Sequence, residues 1–151
     1  MKLSALQLKH YHYSHLQLES VDSEQLVGKE PSSPYWIPSA SKIQASITVG
    51  EPETQETPSQ YAFVISLQLS YQEKNFPYKF IVALDGVFIC DDLEEPSDDF
   101  QHQLVVNASS MLYSTVREQL LTLSSRQKYG PLMLPSLDFR SLQKADSDKE
   151  T

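Results

Sequence analysis

The sequence is poor in four things, and each scarcity excludes a class of protein. A single cysteine, Cys90, leaves no internal disulfide framework and fits a reducing compartment. The four glycines, Gly28, Gly50, Gly86 and Gly130, lie far apart, so no Gly-rich phosphate cradle can be built. Positive charge is short: 12 Lys plus Arg stand against 20 Asp plus Glu, a net charge of −8. Such a surface repels phosphate backbones and argues against a general nucleic-acid binder. No run approaches the roughly 20 apolar residues of a membrane helix. Residues 1–9, MKLSALQLK, are too short and polar for a secretory apolar core. What is present is ordinary for a folded domain: 151 residues, 40% of them hydrophobic, enough for one core. A soluble cytoplasmic protein is expected.

The period of the apolar residues changes once along the chain. Up to about residue 90 it is two, and after about residue 97 it is nearer 3.6. Residues 61–71, YAFVISLQLSY, put Tyr61, Phe63, Ile65, Leu67, Leu69 and Tyr71 on one face of a strand. Residues 76–90, FPYKFIVALDGVFIC, put Phe76, Tyr78, Phe80, Val82 and Leu84 in one phase, and Asp85-Gly86 is expected to break it. The polar QEKN at 72–75 between these two strands predicts a hairpin. Residues 42–49 alternate with Ile43, Ala45, Ile47 and Val49 inward. The strand at about 5–19 is irregular: Leu6, Leu8, Leu16 and Leu18 share one phase, Tyr11 and Tyr13 the other. Either a bulge resets the phase or both faces are covered.

The connection at about 20–41 contains PSSPYWIP, which its prolines keep extended. Residues 50–60 and 91–96 are acidic loops and read as solvated. Ser97 is a candidate N-cap, with Asp98 and Asp99 in the first turn of a helix reaching about Arg126. Val105, Ala108, Leu112, Val116, Leu120 and Leu123 form its stripe, widened by Leu104, Met111 and Leu121. Asn107, Ser109 and Ser110 weaken the middle, where a kink or break is expected. A Pro/Gly-bounded loop at 127–136 has Leu132, Met133 and Leu134 at its centre. Ser136 is placed to cap a short last helix at 137–145, with Leu137, Phe139 and Leu142 as its apolar side. A polar tail, 146–151, follows.

No constellation for catalysis stands out, and the chain reads as a non-enzyme without cofactor. No GxSxG or CxxC occurs, and Cys90 at the end of an apolar run reads as an inert thiol. On a strand His10 and His12 point one way, about 6.5–7 Å apart, and His15 the other. They lack a nearby Cys or acidic ligand at metal-binding spacing, so a solvated sheet surface outweighs a metal site. The Asn107-Ala108-Ser109 acceptor sequence has no meaning without secretion. What remains is an excess of apolar side chains in irregular segments: Tyr35, Trp36, Tyr129, Leu132, Met133 and Leu134. They either pack on the sheet edge or line a groove for varied polypeptide sequences. An exposed sheet edge would add sequence-independent main-chain hydrogen bonds.

The stretch LQLKHYHYSHLQLE (6–19), followed by Trp36 and Pro38, resembles the opening of SecB, the bacterial protein-export chaperone. FIVALDGVFIC (80–90) resembles that family's strand ending in Gly-x-Phe. MLYSTVREQLLTLSSRQKYGPLMLPSLDFRSL (111–142) resembles its long helix, Pro-rich loop and final helix, with Arg117-Glu118, PLMLP (131–135) and Leu137-Asp138-Phe139 in order and spacing. The resemblance covers about residues 5–143.

It implies an α+β fold, a four-stranded antiparallel sheet followed by a long helix and a short C-terminal helix, as one domain over 1–145. It implies a homotetramer built as a dimer of dimers through the helices, with Val105, Leu112, Val116 and Leu120 at the interface. It implies a holdase for unfolded or precursor polypeptides, without ATP or cofactor. The implied groove joins Trp36, Tyr78 and the 129–139 segment, including Phe139, to Tyr35. The implied SecA-facing outer sheet falls on His15, Glu19, Lys79 and Ile81, where only Glu19 keeps the family's acidity. Ser114-Thr115-Val116 replaces the family's Pro-Tyr-Ala, and His12 stands at a family tyrosine. With these departures, an alternative client such as the antitoxin of a toxin–antitoxin pair, without SecA delivery, fits as well.

Overall fold

The computed structural model describes residues 1–26, 28, 30–31, 33–52, 60–91 and 98–141. Four strands, β1 (Leu6–Ser20), β2 (Gln44–Gly50), β3 (Gln60–Tyr71) and β4 (Tyr78–Asp91), form one antiparallel sheet in the order β1-β4-β3-β2. One helix, α1 (Asp98–Ser124), crosses one face of it. A helical turn begins at Phe139 and continues to the last described residue, Ser141. The expected acidic loops, Ser97 cap, Leu142 and polar tail lie largely or wholly outside the described residues.

β3 and β4 alternate as their sequences require. Phe63, Ile65, Leu67 and Leu69 meet Phe80, Val82, Leu84 and Phe88 in the core. Their phenyl rings stack across the strand pair, Phe63 on Phe88 at 5.6 Å and Tyr71 on Phe80 at 5.7 Å between centroids. Asp85-Gly86 does not break β4, whose register with β3 is uninterrupted. Gly86 has a packing role instead: a Cβ there would stand 2.6 Å from Leu112 Cδ2 of α1. The missing side chain lets the helix lie close on the sheet.

The irregularity belongs to β1. Its register against β4 shifts between Leu8 and His10 and again between Tyr13 and His15. Each bulge inserts one residue, Lys9 and then Ser14, and so reverses the phase. Leu6, Leu8, Tyr11, Tyr13, Leu16 and Leu18 therefore all face the helix side, opposite Cys90, Phe88, Gly86, Leu84, Val82 and Phe80. The two clashing phases of the sequence become one face, and His15 joins His10 and His12 on the other.

α1 runs from Asp98 to Ser124 without a break. Ser110, Ser114 and Thr115 turn their hydroxyls back onto the carbonyls of Val106, Ser110 and Met111 at 2.9, 3.0 and 3.1 Å, while Ala108 and Ser109 press against the core. The helix ends at Ser124, two residues earlier than expected, so Arg126 and Lys128 lie beyond it. The buried Ser124 Oγ accepts the Leu132 amide at 2.8 Å and turns the chain back along the helix. The final turn is capped by Asp138 rather than Ser136, since Asp138 Oδ1 accepts the Arg140 amide at 3.0 Å. Val105, Leu112, Val116 and Leu120, assigned by resemblance to an interface between subunits, are buried against this chain's own sheet. The apolar helix residues left exposed are Phe100, Met111 and Leu123.

Candidate functional site: an apolar ribbon and an open strand edge

The two irregular segments singled out in the sequence come together. Trp36 and Leu132 form a parallel bridge: the Trp36 amide donates to the Pro131 carbonyl, and the Met133 amide donates to the Trp36 carbonyl, both at 2.9 Å. The result is a two-segment ribbon, 35–37 beside 131–133, laid next to α1 over the sheet. Extended backbone imposes a period of two, so alternate side chains face in and out. Trp36, Leu132 and Leu134 point in; Tyr35, Ile37 and Met133 point out.

This alternation divides the expected groove residues. Leu132, Leu134, Tyr78 and Phe139 are fully buried and so belong to the core, not to an open groove. Tyr78 sits under the ribbon and donates its phenol to the Gly130 carbonyl. Phe139 packs edge-on against Tyr113, 5.5 Å between centroids, and the Tyr113 hydroxyl bonds the Pro135 carbonyl. Burial pushes the Tyr113 phenol well above its ordinary range, and the Arg117 charge only partly opposes it. Trp36 is half-buried, its indole N–H held by the Tyr129 carbonyl at 3.0 Å and its ring against Phe76. Tyr129 is half-buried too, its hydroxyl on the Val21 carbonyl at 2.7 Å. These contacts are anchors that hold the ribbon down.

The outward side carries the apolar surface. Tyr35 is 38% exposed and Ile37 51%. Met133 is half-buried beside them, with Arg117 Nη2 at 3.4 Å from its Sδ. Ile37 is the residue that sequence reasoning missed. The signal was available: in YWIP and LML the alternation of β3 recurs over three or four residues. Past the ribbon the chain runs through a short turn at Ala40–Lys42 into β2, the edge of the sheet. β2 has no charge, no proline and no bulge, and its Val49 is 47% exposed. Among the described residues no strand pairs with its outer edge, and the strand itself carries none of the charge, proline or bulge that commonly guard one.

The expected partner-facing residues lie on the other side of the sheet. His15, Glu19, Lys79 and Ile81 share its outer face, with Glu19 opposite Lys79 and Gln17 opposite Ile81. A hydrogen-bonded row runs along β1 there: His15 Nε2 meets Gln17 Oε1 at 3.2 Å, and Gln17 Nε2 donates to Glu19 at 2.8 Å. His12 lies 3.6 Å from Asp85. Among the described residues no group of three or more His, Cys, Asp or Glu is placed to hold a metal ion. No described helix is long and apolar enough to cross a membrane.

Comparison with known proteins agrees with this architecture. The family model described as preprotein translocase subunit SecB matches residues 5–150, so the chain belongs to the SecB family, a family of chaperones and not of enzymes. Among solved structures, a protein of unknown function from Streptococcus agalactiae superposes with a TM-score of 0.61 at 11% identity, over 87% of this chain and 97% of its own. The Mycobacterium tuberculosis SecB-like chaperone Rv1957, in complex with a ChAD peptide from the HigA1 antitoxin Rv1956, superposes with a TM-score of 0.50 at 18% identity, over 87% of each chain. At these identities the likeness is one of fold. No curated protein matches the sequence.

Proposed function

We propose that this protein is a holdase chaperone that grips unfolded or precursor polypeptides along the outward side of the ribbon and the β2 edge. The observation that carries the reading is apolar surface beside a strand edge: Tyr35, Ile37 and Val49 are exposed along a path that ends in β2, which pairs only with β3 among the described residues. Side-chain burial supplies affinity with little sequence preference, and the strand edge supplies hydrogen bonds that any extended segment can accept. The family description, a preprotein translocase subunit, supports preproteins as clients; delivery to SecA in the cytoplasm is the corresponding reading. The tuberculosis chaperone seen with an antitoxin peptide supports a second reading, one dedicated client without SecA. A homotetramer is supported by apolar groups that the single chain leaves exposed, Tyr11 and Leu16 on β1 and Met111 and Leu123 on α1.

The test is suppression of aggregation of a chemically denatured protein. Covering Tyr35 and Ile37 removes from water side chains worth at most about 1.5–3 kcal/mol each, so Tyr35→Ala/Ile37→Ala should weaken capture by about tenfold or more. Its melting temperature should stay near that of the parent, because neither side chain is in the core. Capture that is undiminished in this variant removes the ribbon from the site. Protection of only one co-purifying protein, and of no denatured test protein, favours the dedicated-client reading.

A further inference from the structure

We propose that Met133 is a site of reversible oxidation, and that the guanidinium of Arg117 is a receptor for the sulfoxide oxygen that oxidation creates. The methionines of the chain are Met1, Met111 and Met133. Among the described residues only the last has its sulfur against a cation: Arg117 Nη2 lies 3.4 Å from Met133 Sδ. A thioether sulfur is a weak acceptor, whereas a guanidinium carries only N–H donors. The contact is poorly matched in its reduced form.

The mismatch extends to the rest of the guanidinium. Arg117 forms no ion pair among the described residues, and its neighbour Glu118 is exposed. Its Nε is buried and has no hydrogen-bond partner. The N–H bonds of Nε and Nη2 point the same way, as parallel prongs. Arg140 shows what such prongs hold: its Nε and Nη2 each donate to a carboxylate oxygen of Asp138 at 3.0 Å. In Arg117 one prong meets sulfur and the other meets nothing. An external carboxylate reaches the buried Nε only by displacing its neighbours. An oxygen borne on Met133 enters with the side chain, whose freely rotating bonds let it turn towards the prongs.

The chemistry balances with hydrogen peroxide as oxidant. A sulfur lone pair attacks one peroxide oxygen, an S–O bond forms and the O–O bond breaks. The proton of the transferred oxygen passes to the departing one, which leaves as water. Sulfur has then lost an electron pair and the peroxide has been reduced. A dithiol reductant returns the thioether, forming a disulfide and releasing water. Met133 lies on the outward side of the ribbon with Tyr35 and Ile37, so the change makes part of that strip polar while Leu132 and Leu134 stay buried.

The test treats the full chain with hydrogen peroxide and reads peptide masses and thermal melting. Met133 should gain one oxygen while the protein remains folded. In a Met111→Leu background, oxidation should leave the melting temperature within about 1 °C of the reduced protein's or raise it; with Arg117→Leu added, oxidation should lower it by about 4 °C or more, since the sulfoxide then lacks its charged donor. If Arg117→Leu does not fold, Arg117→Lys, which keeps the charge and loses the prongs, carries the same comparison. Met133→Gln, which places a carbonyl oxygen at similar reach, should show the same dependence on Arg117 without oxidant. A Met133 that stays unoxidised until the protein unfolds overturns the proposal. So does an equal loss of melting temperature with and without Arg117. Suppression of aggregation should fall about threefold on oxidation and recover on reduction, an arm that rests on client capture at the ribbon. Unchanged suppression beside an Arg117-dependent melting shift counts against capture at the ribbon and leaves the oxidation site standing.

Discussion

The two faces of the sheet are made by the same four strands, yet they have opposite fates. The helix side is closed by α1 and by the ribbon, so Phe63, Leu84, Phe88 and their neighbours lose nearly all contact with water. The outer side is covered by no described helix or strand, and apolar groups such as Ile81 stay exposed beside lysines and histidines. The difference teaches where each kind of information is kept. The closed face holds the fold together, and its residues tolerate little change. The open face, the ribbon's outward side and the β2 edge bury fewer side chains and so contribute less to stability.

The sharpest way to break this division is at the closest approach of helix and sheet. Leu112→Ala removes a fully buried side chain and should cost about 2–5 kcal/mol of stability in urea unfolding. Gly86→Ala overpacks the same point and should cost about 1–3 kcal/mol. Combined, the two changes should cost less than their sum, because the alanine methyl at 86 enters the space that Leu112 vacates. Strict additivity would mean that the two do not meet.

The next effect concerns pH. Tyr13, Tyr61, Tyr71, Tyr78 and Tyr113, all on the helix side, have phenol pKa values raised above 10.0, in each case chiefly by burial. The unfolded chain then releases these protons at a lower pH than the folded one. Their contribution is complete below about pH 10 and is lost as pH rises through the folded values. Melting temperatures followed by circular dichroism should fall steeply above pH 10, and tyrosinate absorbance should rise together with unfolding. A tyrosinate signal that titrates fully around pH 10 in the folded protein would show these phenols to be open to water.

The smallest effect belongs to the open face. Ile81→Ser should alter stability by no more than about 0.5 kcal/mol, because the side chain loses little burial. A large destabilisation there would mean that the outer face is closed by a second copy, and the contrast between the faces would fail.

Much of the fold was legible in residue order. β3 and β4 announce themselves by strict alternation, and the stripe from Val105 to Leu120 announces α1. The phase conflict in β1 was legible as a conflict, with a bulge as one resolution. That there are two bulges depends on the partner strand, since only pairing with β4 shows Lys9 and Ser14 to be supernumerary. No break occurs around Asn107: the helix runs on from Asp98 to Ser124, because Ala108, Ser109 and Leu112 are buried against the core and packing outweighs the weak local propensity. The candidate site was half legible. Its segments were recognisable as apolar chain outside regular structure, but Leu132 and Met133 look equally able to bind a client. Pairing with Trp36 turns the first inward and leaves the second at the surface.

Residue order alone determined the sequence of four strands and a helix, the acidic balance and the resemblance to SecB, because periodicity and composition are properties of neighbours along the chain. Which leucines became core and that three histidines share one face were decided only by tertiary structure. The physical reason is that burial and electrostatic fields depend on what lies across the gap, and strand pairing brings there groups from distant parts of the chain.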